Sequence, residues 1–575
     1  MAGAVVLASC TDNDYDFGQI DATVGFGGDG LTLPVNSTDT IKLADVLELD
    51  GNDCVVEEPN GDYVFRQTGD PVDPVNPEIG RITVSGSSDE GVIELHVASS
   101  PAGYEVTASG EAQTFRYSGD KPAEVKSISY AGVTGRMNLV VDFPRELVSA
   151  VSSLDEMTIT LPEYMRLGSV TSSTPCTLNG SRLVLAGVPT DRSLTVNAEL
   201  TGLDVTAGNG SNDITLDDAA GKINMTGSVL IDVKAHVNGS AAANVEGARI
   251  NSSMDMGNVV IDNAQGRFSP EITLNDLGRV EITGVPDFLD DDEVYVDLYN
   301  PVIKLTVTND MAIGGVIDGT ITPCKDGVAN TAKSIELRNI PINASATSGV
   351  PVTTDVYICR NSAAFNAPAG AVVMEEPRLS DIINPIPDEI TFTAEARAND
   401  NVDGFFELGK SYSVQPAYSF EAPIAFGENA SIVYKDTLDG WNEDINDFDL
   451  SEDASIEFST TIENCVPAYL DLSVSAIDVD GNEMPESEIG VAVSTTVLAS
   501  GNGETPAETP LQVVLTEGTE GAMKRLDGLI FRIDARSYED GQSTIVGQTL
   551  NARRHFLIAR DITVKLVGKI IGDFN

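Results

Sequence analysis

The sequence predicts an all-β protein, built from several antiparallel β-sandwich-like domains in series. Three observations predict this fold class: apolar and polar residues alternate with a period of two, Gly-containing turn signals separate the alternating runs, and helical periodicity is nearly absent. Strands with this alternation place one face on a core and the other in water, as the sheets of antiparallel sandwiches do. A chain of 575 residues can bury a large core without disulfide bonds.

The alternation is clearest in five segments. In one of them, Leu470, Leu472, Val474 and Ala476 are separated by polar residues. The other four apolar sets are Ile93, Leu95 and Val97; Met137, Leu139, Val141 and Phe143; Met157, Ile159 and Leu161; and Ile303, Leu305 and Val307. Each set predicts a strand with one buried face.

Tight hairpin turns are predicted where Asn-Gly and Asp-Gly pairs separate these runs, because both residue types adopt positive φ at low cost. The four pairs are Asn209-Gly210, Asp326-Gly327, Asp403-Gly404 and Asp480-Gly481. Short helices are predicted at 145–154 and 379–383. No repeat of fixed period is present in the sequence, which disfavours a solenoid or a propeller.

Composition predicts how the chain is divided. The predicted segments are a lipoprotein signal remnant at 1–9, a tether at 10–24, a β domain at 25–118, β-sandwich domains at 119–225 and 226–367, a Pro-rich joint at 368–387, and a C-terminal β-sandwich domain at 388–575. The joint is the clearest break, because four prolines flank its short helical segment.

The chain is strongly acidic, with a formal net charge of -55 from 89 acidic and 34 basic residues. This charge repels nucleic acid and anionic lipid head groups, so no nucleic-acid partner is expected. Solubility on a crowded surface accounts for such a charge, and binding of divalent cations is the alternative. No segment after the N-terminus is apolar enough, over about 18 residues, to span a bilayer.

The first residues have the order of a bacterial lipoprotein signal. A short apolar run ends in Leu7-Ala8-Ser9-Cys10, and an acidic, turn-rich stretch follows. The small side chains of Ala8 and Ser9 suit a signal peptidase, and the thiol of Cys10 would receive a diacylglycerol. Cys10 is therefore the predicted lipidation site, and membrane lipid is the predicted partner that it engages.

The stretch Cys10-Thr11-Asp12-Asn13-Asp14-Tyr15-Asp16 resembles the start of surface lipoproteins of the Bacteroides group. In that group, acidic residues after the lipidated cysteine direct export, so the resemblance implies the cell outer membrane, with display at the surface. The group also attaches O-glycans at Asp-Ser/Thr-aliphatic triplets, which implies Thr40 and Thr437 as O-glycosylation candidates. The resemblance covers the signal, the tether and the acidic, β-rich character of the chain, and it names no characterised family.

Five cysteines remain besides Cys10. They are Cys54, Cys176, Cys324, Cys359 and Cys465. Their wide spacing, with no C-x-x-C pair, predicts neither a zinc site nor a disulfide framework. Free, buried cysteines are expected, and a single bridge between Cys324 and Cys359 is the alternative.

No catalytic residue is predicted. The three histidines, His96, His236 and His555, lie far in sequence from one another and from any cysteine, so each is expected to have a surface or structural role. A protein without enzymatic activity is therefore expected. A deep cleft with paired carboxylates would instead favour a glycosidase.

Trp441 is the candidate ligand-binding residue. It is the only tryptophan, and it lies in a polar, acidic loop. An aromatic ring in such a loop serves either as a platform for a ligand or as a cap on the edge of a sandwich core. The sequence leaves both roles open.

No cofactor is predicted, and calcium is the one metal that the composition suggests. The candidate ligands are Asp444, Asn446, Asp447 and Asp449, because Ca²⁺ favours several oxygen ligands from one loop. Solvated loop charge is the alternative for this group and for a second acidic cluster around residues 287–293.

The sequence thus predicts a lipid-anchored cell-envelope protein with a non-catalytic binding, adhesion or scaffolding role. One alternative is a glycan-capturing lipoprotein that works with an outer-membrane importer, although 6% aromatic residues are few for stacking sugars. A second alternative is a fimbrial subunit or anchor related to the fimbrillins, which are cut after an arginine and polymerise by donated strands. Arg66 and Arg81 are the possible cleavage sites. A glycan or protein partner at the surface is expected.

Overall fold

The computed structural model describes residues 24–26, 31–34, 37–38, 40–44, 54–101, 103–274, 278–283, 285, 293–442, 445, 448–450, 454–540, 545–567 and 570–572. Over these residues, the prediction of an all-β fold made of several antiparallel sheets is confirmed. No helix among them is long and apolar enough to cross a membrane.

The strands up to residue 189 are β1 (Val24–Phe26), β2 (Leu31–Pro34), β3 (Ile41–Lys42), β4 (Val55–Glu57), β5 (Tyr63–Thr68), β6 (Ile82–Ser85), β7 (Ser88–Glu94), β8 (His96–Ser100), β9 (Gly103–Asp120), β10 (Val125–Asp142), β11 (Ser153–Thr160), β12 (Met165–Ser172), β13 (Cys176–Asn179) and β14 (Arg182–Pro189). The next strands are β15 (Leu194–Asp204), β16 (Asp213–Asp217), β17 (Lys222–Val237), β18 (Arg249–Met256), β19 (Val259–Phe268), β20 (Glu271–Ile272), β21 (Arg279–Glu281), β22 (Val302–Asn309), β23 (Gly315–Lys325), β24 (Val328–Ala329), β25 (Ile335–Ile342), β26 (Val352–Cys359) and β27 (Val372–Glu375).

The remaining strands are β28 (Glu389–Ala398), β29 (Gly404–Glu407), β30 (Val414–Pro423), β31 (Ser431–Leu438), β32 (Phe448–Leu450), β33 (Ser455–Asn464), β34 (Tyr469–Asp478), β35 (Ile489–Val493), β36 (Ala507–Glu517), β37 (Leu526–Arg536), β38 (Phe556–Val567) and β39 (Ile570–Gly572). The α-helices whose bounds lie within the described residues are α1 (Arg145–Ala150) and α2 (Gly239–Val245), and the 3-10 helices with described bounds are Val205–Ala207, Thr331–Lys333, Ser362–Ala364, Leu379–Ile383 and Met523–Arg525.

Strands β6–β19 and β29 form the largest sheet system, in which β9 pairs with β17 along almost its whole length. The burial of β10 alternates, and Leu139 and Val141 are fully buried, as the period of two predicts. Strand β7 lies so close to β9 that a Cβ atom on Gly91 would lie 1.2 Å from the carbonyl oxygen of Ala112. A residue without a side chain is therefore required at that crossing.

Two sheets form the middle of the fold. One has the order β20–β28–β23–β24, with β21 and β25 paired at its sides, and the other has the order β27–β26–β22–β30–β5–β4. The pair β26–β27 is parallel, whereas the other strand pairs of these two sheets are antiparallel.

The C-terminal sandwich consists of two facing sheets. The first sheet has the order β2–β38–β33–β36–β35, with β3 also paired to β38, and the second has the order β31–β37–β34. Strands β2 and β3 come early in the sequence, yet their partner β38 begins at Phe556. Closing this sandwich therefore needs contacts more than 500 residues apart along the chain.

The predicted domain divisions stay predictions, and strand pairing runs across several of them. The division between residues 118 and 119 falls within β9, and that between residues 225 and 226 falls within its partner β17. Strands β28 and β30 follow the Pro-rich joint but pair with β23 and β22, which precede it. Composition does not reveal these pairings, because each strand joins a partner that is distant in sequence.

The local predictions are partly confirmed. Asp326 and Gly327 both have positive φ and close the hairpin between β23 and β24 as predicted. The predicted turn at Asp403-Gly404 is wrong, because Gly404 begins β29 and pairs with Gly266 in a distant strand. The predicted helix at 379–383 forms as a 3-10 helix, whereas the one at 145–154 ends at Ala150 and gives way to β11.

A buried carboxylate holds the middle sheets and the start of the C-terminal sandwich together. The carboxylate of Asp297, 2% exposed, accepts hydrogen bonds from the guanidinium of Arg360, the hydroxyl of Ser380 and the backbone N–H of Asn429. These partners come from three separate segments, so a single side chain fixes their relative positions. Such a carboxylate is stable in the interior only because it is paired and hydrogen-bonded.

We predict that Arg360→Leu lowers the free energy of unfolding by about 3–5 kcal/mol, because it leaves the charge of Asp297 buried without its cation. Chemical denaturation of the full chain measures this. The matched control is Arg338→Leu, which removes an exposed pair with Glu336 and should change stability by less than about 1 kcal/mol. Equal losses in the two variants would contradict the role given to Asp297.

Candidate functional site

The two sheets of the C-terminal sandwich turn apolar side chains toward each other. In the first sheet, Phe458 of β33 lies opposite Val513 of β36 and Val564 of β38. In the second sheet, Val474 of β34 lies opposite Phe531 of β37. Directly opposed residues of an antiparallel pair share a face, so the alternation builds an apolar row across each sheet.

An apolar cavity of about 160 Å³ lies between these two faces, and we call it the apolar cleft. Its lining consists of Ile41, Phe458, Ser459, Thr460, Ile462, Leu470, Leu472, Val497, Leu511, Val513, Leu529, Phe531, Ile533, Leu557, Ile558, Ala559 and Ile562. This set contains no titratable side chain and only two polar ones. The described lining can therefore supply neither an acid nor a base to a reaction.

The cleft has little capacity to hydrogen-bond a ligand. Thr460, one of its two polar side chains, already donates its hydroxyl to the carbonyl oxygen of Arg560 at 2.9 Å. Ser459 is the other, and it lies beside a β-bulge, where the register of β33 against β38 shifts. A ligand rich in hydroxyl groups would lose its hydrogen bonds to water here without replacing them.

The cleft interrupts the core of the sandwich. On one side, Ile456, Leu515 and Leu529 belong to a closed apolar cluster, and on the other side a second cluster surrounds Tyr63 and Leu550. Side chains between these clusters are only half-buried in the described structure, among them Phe458, Leu472, Phe531 and Ile533. Apolar side chains at the centre of a sandwich are normally packed without gaps, so this opening is unusual.

Two local features of the sequence explain part of the volume of the apolar cleft. The bulge at Ser459–Thr461 bends β33 away from a regular ladder. Opposite Ile462, β38 contributes Ala559, whose side chain is a single methyl group. A larger residue at this position would fill the cavity.

Trp441 lies at the edge of the same core. Its ring centroid is 6.3 Å from that of Phe458, and its backbone N–H donates to the carbonyl oxygen of Asp527 at 2.8 Å. The side chain is half-buried against the cluster around Leu529. This arrangement is that of a cap on the core, and it puts the only tryptophan next to a residue that lines the apolar cleft. Its role in ligand binding stays a prediction.

The predicted calcium ligands are mostly outside the described residues. Asp444, Asn446 and Asp447 lie there, and Asp449 is described only as part of the backbone of β32. Among the residues that the structure describes, no group of three or more His, Cys, Asp and Glu side chains is placed to hold a metal ion.

The turn at Asp480-Gly481 forms as predicted. The carboxylate of Asp478 accepts hydrogen bonds from the backbone N–H groups of Asp480 and Asn482, and Gly481 has a φ of 79°. This acidic sequence is thus used to close a hairpin.

The predicted modification sites have different outcomes. Cys10 lies outside the described residues. Thr40 and Thr437 are both exposed, and Thr437 is on a strand, β31. Attachment of O-glycans at these two hydroxyls stays a prediction.

The two possible cleavage sites of a fimbrial subunit differ in their surroundings. Arg66 lies within β5, opposite Glu421 of β30, and forms ion pairs with Glu58 and Glu421. Arg81 immediately precedes β6 and is largely exposed. A protease that cuts after Arg66 must first open a paired strand, so Arg81 is the more accessible site.

Two histidines lie at the surface. His96 pairs with Glu246, and the ring of His236 lies 2.6 Å from the carboxylate of Asp155. Both rings are exposed and belong to the polar faces of β8 and β17. Neither approaches a second histidine or a cysteine in a metal-binding group of the described residues.

His555 is buried, with 2% of its surface exposed. Its Nδ1 accepts a hydrogen bond from the backbone N–H of Asn551 at 2.9 Å. Burial, followed by the nearby charge of Arg554, lowers the pKa of His555 to about 4. The neutral ring stabilises the turn at Asn551, whose side chain donates in turn to Asp62 of the N-terminal segment.

We predict that this histidine makes the protein less stable in acid. Its pKa is about 4 in the folded state against 6.5 unfolded, so the unfolded chain gains a proton that the folded chain does not. The contribution of His555 to the free energy of unfolding is fully present above pH 6.5. It falls by about 3 kcal/mol as the pH drops to 4. His555→Asn keeps an acceptor and removes the titration. In denaturation at several pH values it should therefore lose less stability between pH 6.5 and 4 than the wild type does, and parallel curves would contradict this.

Among the described cysteines, Cys176, Cys324, Cys359 and Cys465 form no disulfide bond. Cys54, Cys359 and Cys465 are buried as expected, while Cys176 and Cys324 are only half-buried. The alternative bridge between Cys324 and Cys359 does not form. Burial raises the pKa of the thiols of Cys359 and Cys465, so both are poor nucleophiles at neutral pH.

Ser348 contacts Lys410 and its ion-pair partner Glu407. No local sequence signal predicts this group, because Ser348 is 59 residues from Glu407. The hydroxyl of Ser348 lies 2.7 Å from that of Tyr412, 2.9 Å from Glu407 and 3.4 Å from Nζ of Lys410. The hydrogen bond between Lys410 and Glu407 raises the pKa of the lysine and lowers that of the glutamate. The raised pKa favours the protonated form of Lys410, and the hydrogen bonds of Ser348 join the segment between β25 and β26 to the β29–β30 turn.

No protein-family model matches this chain, and no curated protein matches it significantly. One solved structure, of a Parabacteroides distasonis protein provisionally described as secreted, covers 53% of this chain and 83% of its own length, with 14% identity and a TM-score of 0.33. Another, described as a triple jelly roll fold of an archaeal virus, covers 85% of this chain and 91% of its own, with 8% identity and a TM-score of 0.12. Likenesses at these TM-scores carry no argument about function.

Proposed function

We propose that this chain is a non-catalytic binding protein of the cell envelope, and that the apolar cleft is its binding site. The observation that carries the proposal is the set of half-buried Leu, Ile and Phe side chains in the middle of the C-terminal sandwich. Apolar pockets of this kind are where proteins bind ligands. The lining has no titratable group, which supports binding without catalysis.

The envelope location rests on the sequence around Cys10. A lipid attached there would hold the protein at the outer membrane, and the acidic residues that follow favour display at the cell surface. The net charge of -55 supports a location where solubility matters and where nucleic acid is not a partner.

The apolar cleft disfavours glycan capture as its role. A sugar needs hydrogen-bond partners as well as an aromatic face, and the lining offers almost none of the former. Trp441, the candidate platform, packs on Phe458 at the edge of the core. A glycan partner would therefore have to bind at another surface.

We predict that the full chain binds the neutral apolar dye Nile red at one saturable site, with a change in the emission of Trp441, which adjoins the cleft. Ala559→Leu should weaken binding at least tenfold, since it fills the cavity with three additional carbon atoms. The matched control is Ala492→Leu, which adds the same atoms at an exposed position of the same sandwich. Fluorescence titration measures both variants. Equal binding by the two would contradict the proposed site.

We predict that Cys10→Ser abolishes incorporation of a palmitate analogue and moves the protein from the membrane to the soluble fraction, because the serine cannot accept the thioether-linked lipid. Metabolic labelling followed by fractionation tests this, with Cys176→Ser as the control that keeps the lipid. Mass spectrometry of the mature N-terminus identifies the result that would contradict this prediction. A new terminus after Arg66 or Arg81 would favour a fimbrial subunit over a lipid-anchored protein.

A further inference from the structure

Resting on the proposed function, we infer that the ligand of the apolar cleft is a single hydrocarbon chain of a lipid with an uncharged or zwitterionic head group. The juxtaposition behind this inference is an almost wholly apolar lining, contributed mainly by strands that are already paired on both sides, within a strongly acidic protein.

The size of the cleft suits one narrow apolar group. Its volume of about 160 Å³ is close to that of apolar cavities of about 150 Å³ that stay dry and bind benzene. Such a space cannot enclose two chains side by side, and a larger ligand such as the ring system of Nile red can place only part of itself inside. A linear chain can place its terminal carbons inside while its remainder extends through the opening.

A peptide strand is a poorer occupant. The main lining strands, β33, β36, β37 and β38, each have hydrogen-bonded neighbours on both sides. Along these four strands a peptide between the sheets would find no sheet edge to accept its backbone N–H and C=O groups. The lining strand β34 is an edge strand, and it is already bridged at Leu470 to Val497. The backbone groups of the peptide would be buried without partners, which is costly. A hydrocarbon chain carries no such groups, so it gains free energy from burial alone.

Charge selects the head group. The lining contains no Lys or Arg, and Arg560, on the lining strand β38, is held by Glu463 on β33 through Nε and Nη2. No cation of the lining is therefore available for a carboxylate or phosphate at the mouth, while the chain as a whole repels anions. A neutral or zwitterionic head group avoids this repulsion.

The test is a series of linear primary alcohols, from hexanol to dodecanol, titrated into the full chain by calorimetry and by the emission of Trp441. Affinity should rise about fourfold for each methylene, which corresponds to about 0.8 kcal/mol per buried CH₂, until the cleft is full. Decanoate should bind more weakly than decanol at low salt, and about 0.5 M NaCl should narrow the gap because salt screens the repulsion. Maltose oligomers should leave the emission unchanged.

Two variants locate the effect. Ala559→Leu should lower the affinity for decanol at least tenfold, and the affinity should stop rising at a shorter alcohol than in the wild type. Ala492→Leu should bind every alcohol as the wild type does. If Nile red binds in the cleft but the alcohols show no dependence on chain length, the hydrocarbon ligand is wrong and the proposed function stands. If neither binds, both are wrong.

A third outcome concerns a second copy of this chain. If sedimentation shows self-association that Ala559→Leu abolishes and Ala492→Leu does not, the cleft is an interface between copies and the lipid inference is overturned. A monomer that binds decanol at one site supports the inference.

Discussion

The structure depends on antiparallel pairing between strands that lie far apart in sequence. Every buried strand must pair its backbone N–H and C=O groups, and in this chain the partners are rarely neighbours. Strand β9 is matched with β17 over more than 100 residues of intervening sequence, and β2 with β38 over more than 500. The position of every face, and hence of the apolar cleft, follows from these registers.

The apolar cleft is a consequence of this pairing and of two local irregularities. Regular ladders with alternating side chains fill most of the interior, as the fully buried Leu139 and Leu305 show. In the C-terminal sandwich the bulge at Ser459 and the small side chain of Ala559 leave a gap that neither sheet fills. The same alternation that makes a closed core elsewhere therefore borders the apolar cleft here.

The polar groups inside the fold form hydrogen bonds that hold separate segments together. Asp297 joins three segments through Arg360, Ser380 and Asn429, and the neutral ring of His555 supports the turn at Asn551. The serine–lysine contact at Ser348 is likewise fixed by a charged pair.

Much of the fold class and little of the site could be predicted from the sequence. Alternation, as in Met137–Val141, determined strands and their buried faces, because a period of two is a local property of the chain. The turn at Asp326-Gly327 was predictable for the same reason, since two adjacent residues suffice to set it. The lipoprotein signal, with Cys10 followed by acidic residues, is likewise predicted from the sequence alone.

Only the tertiary structure decided which strands pair and where their packing leaves a cavity. Nothing in the sequence around Trp441 shows that it caps a core beside Phe458, and the turn expected at Asp403-Gly404 became a strand because a distant partner, β19, pairs with it. The physical reason is the same in both cases. Periodicity fixes the direction of a side chain, whereas packing and register depend on residues hundreds of positions away.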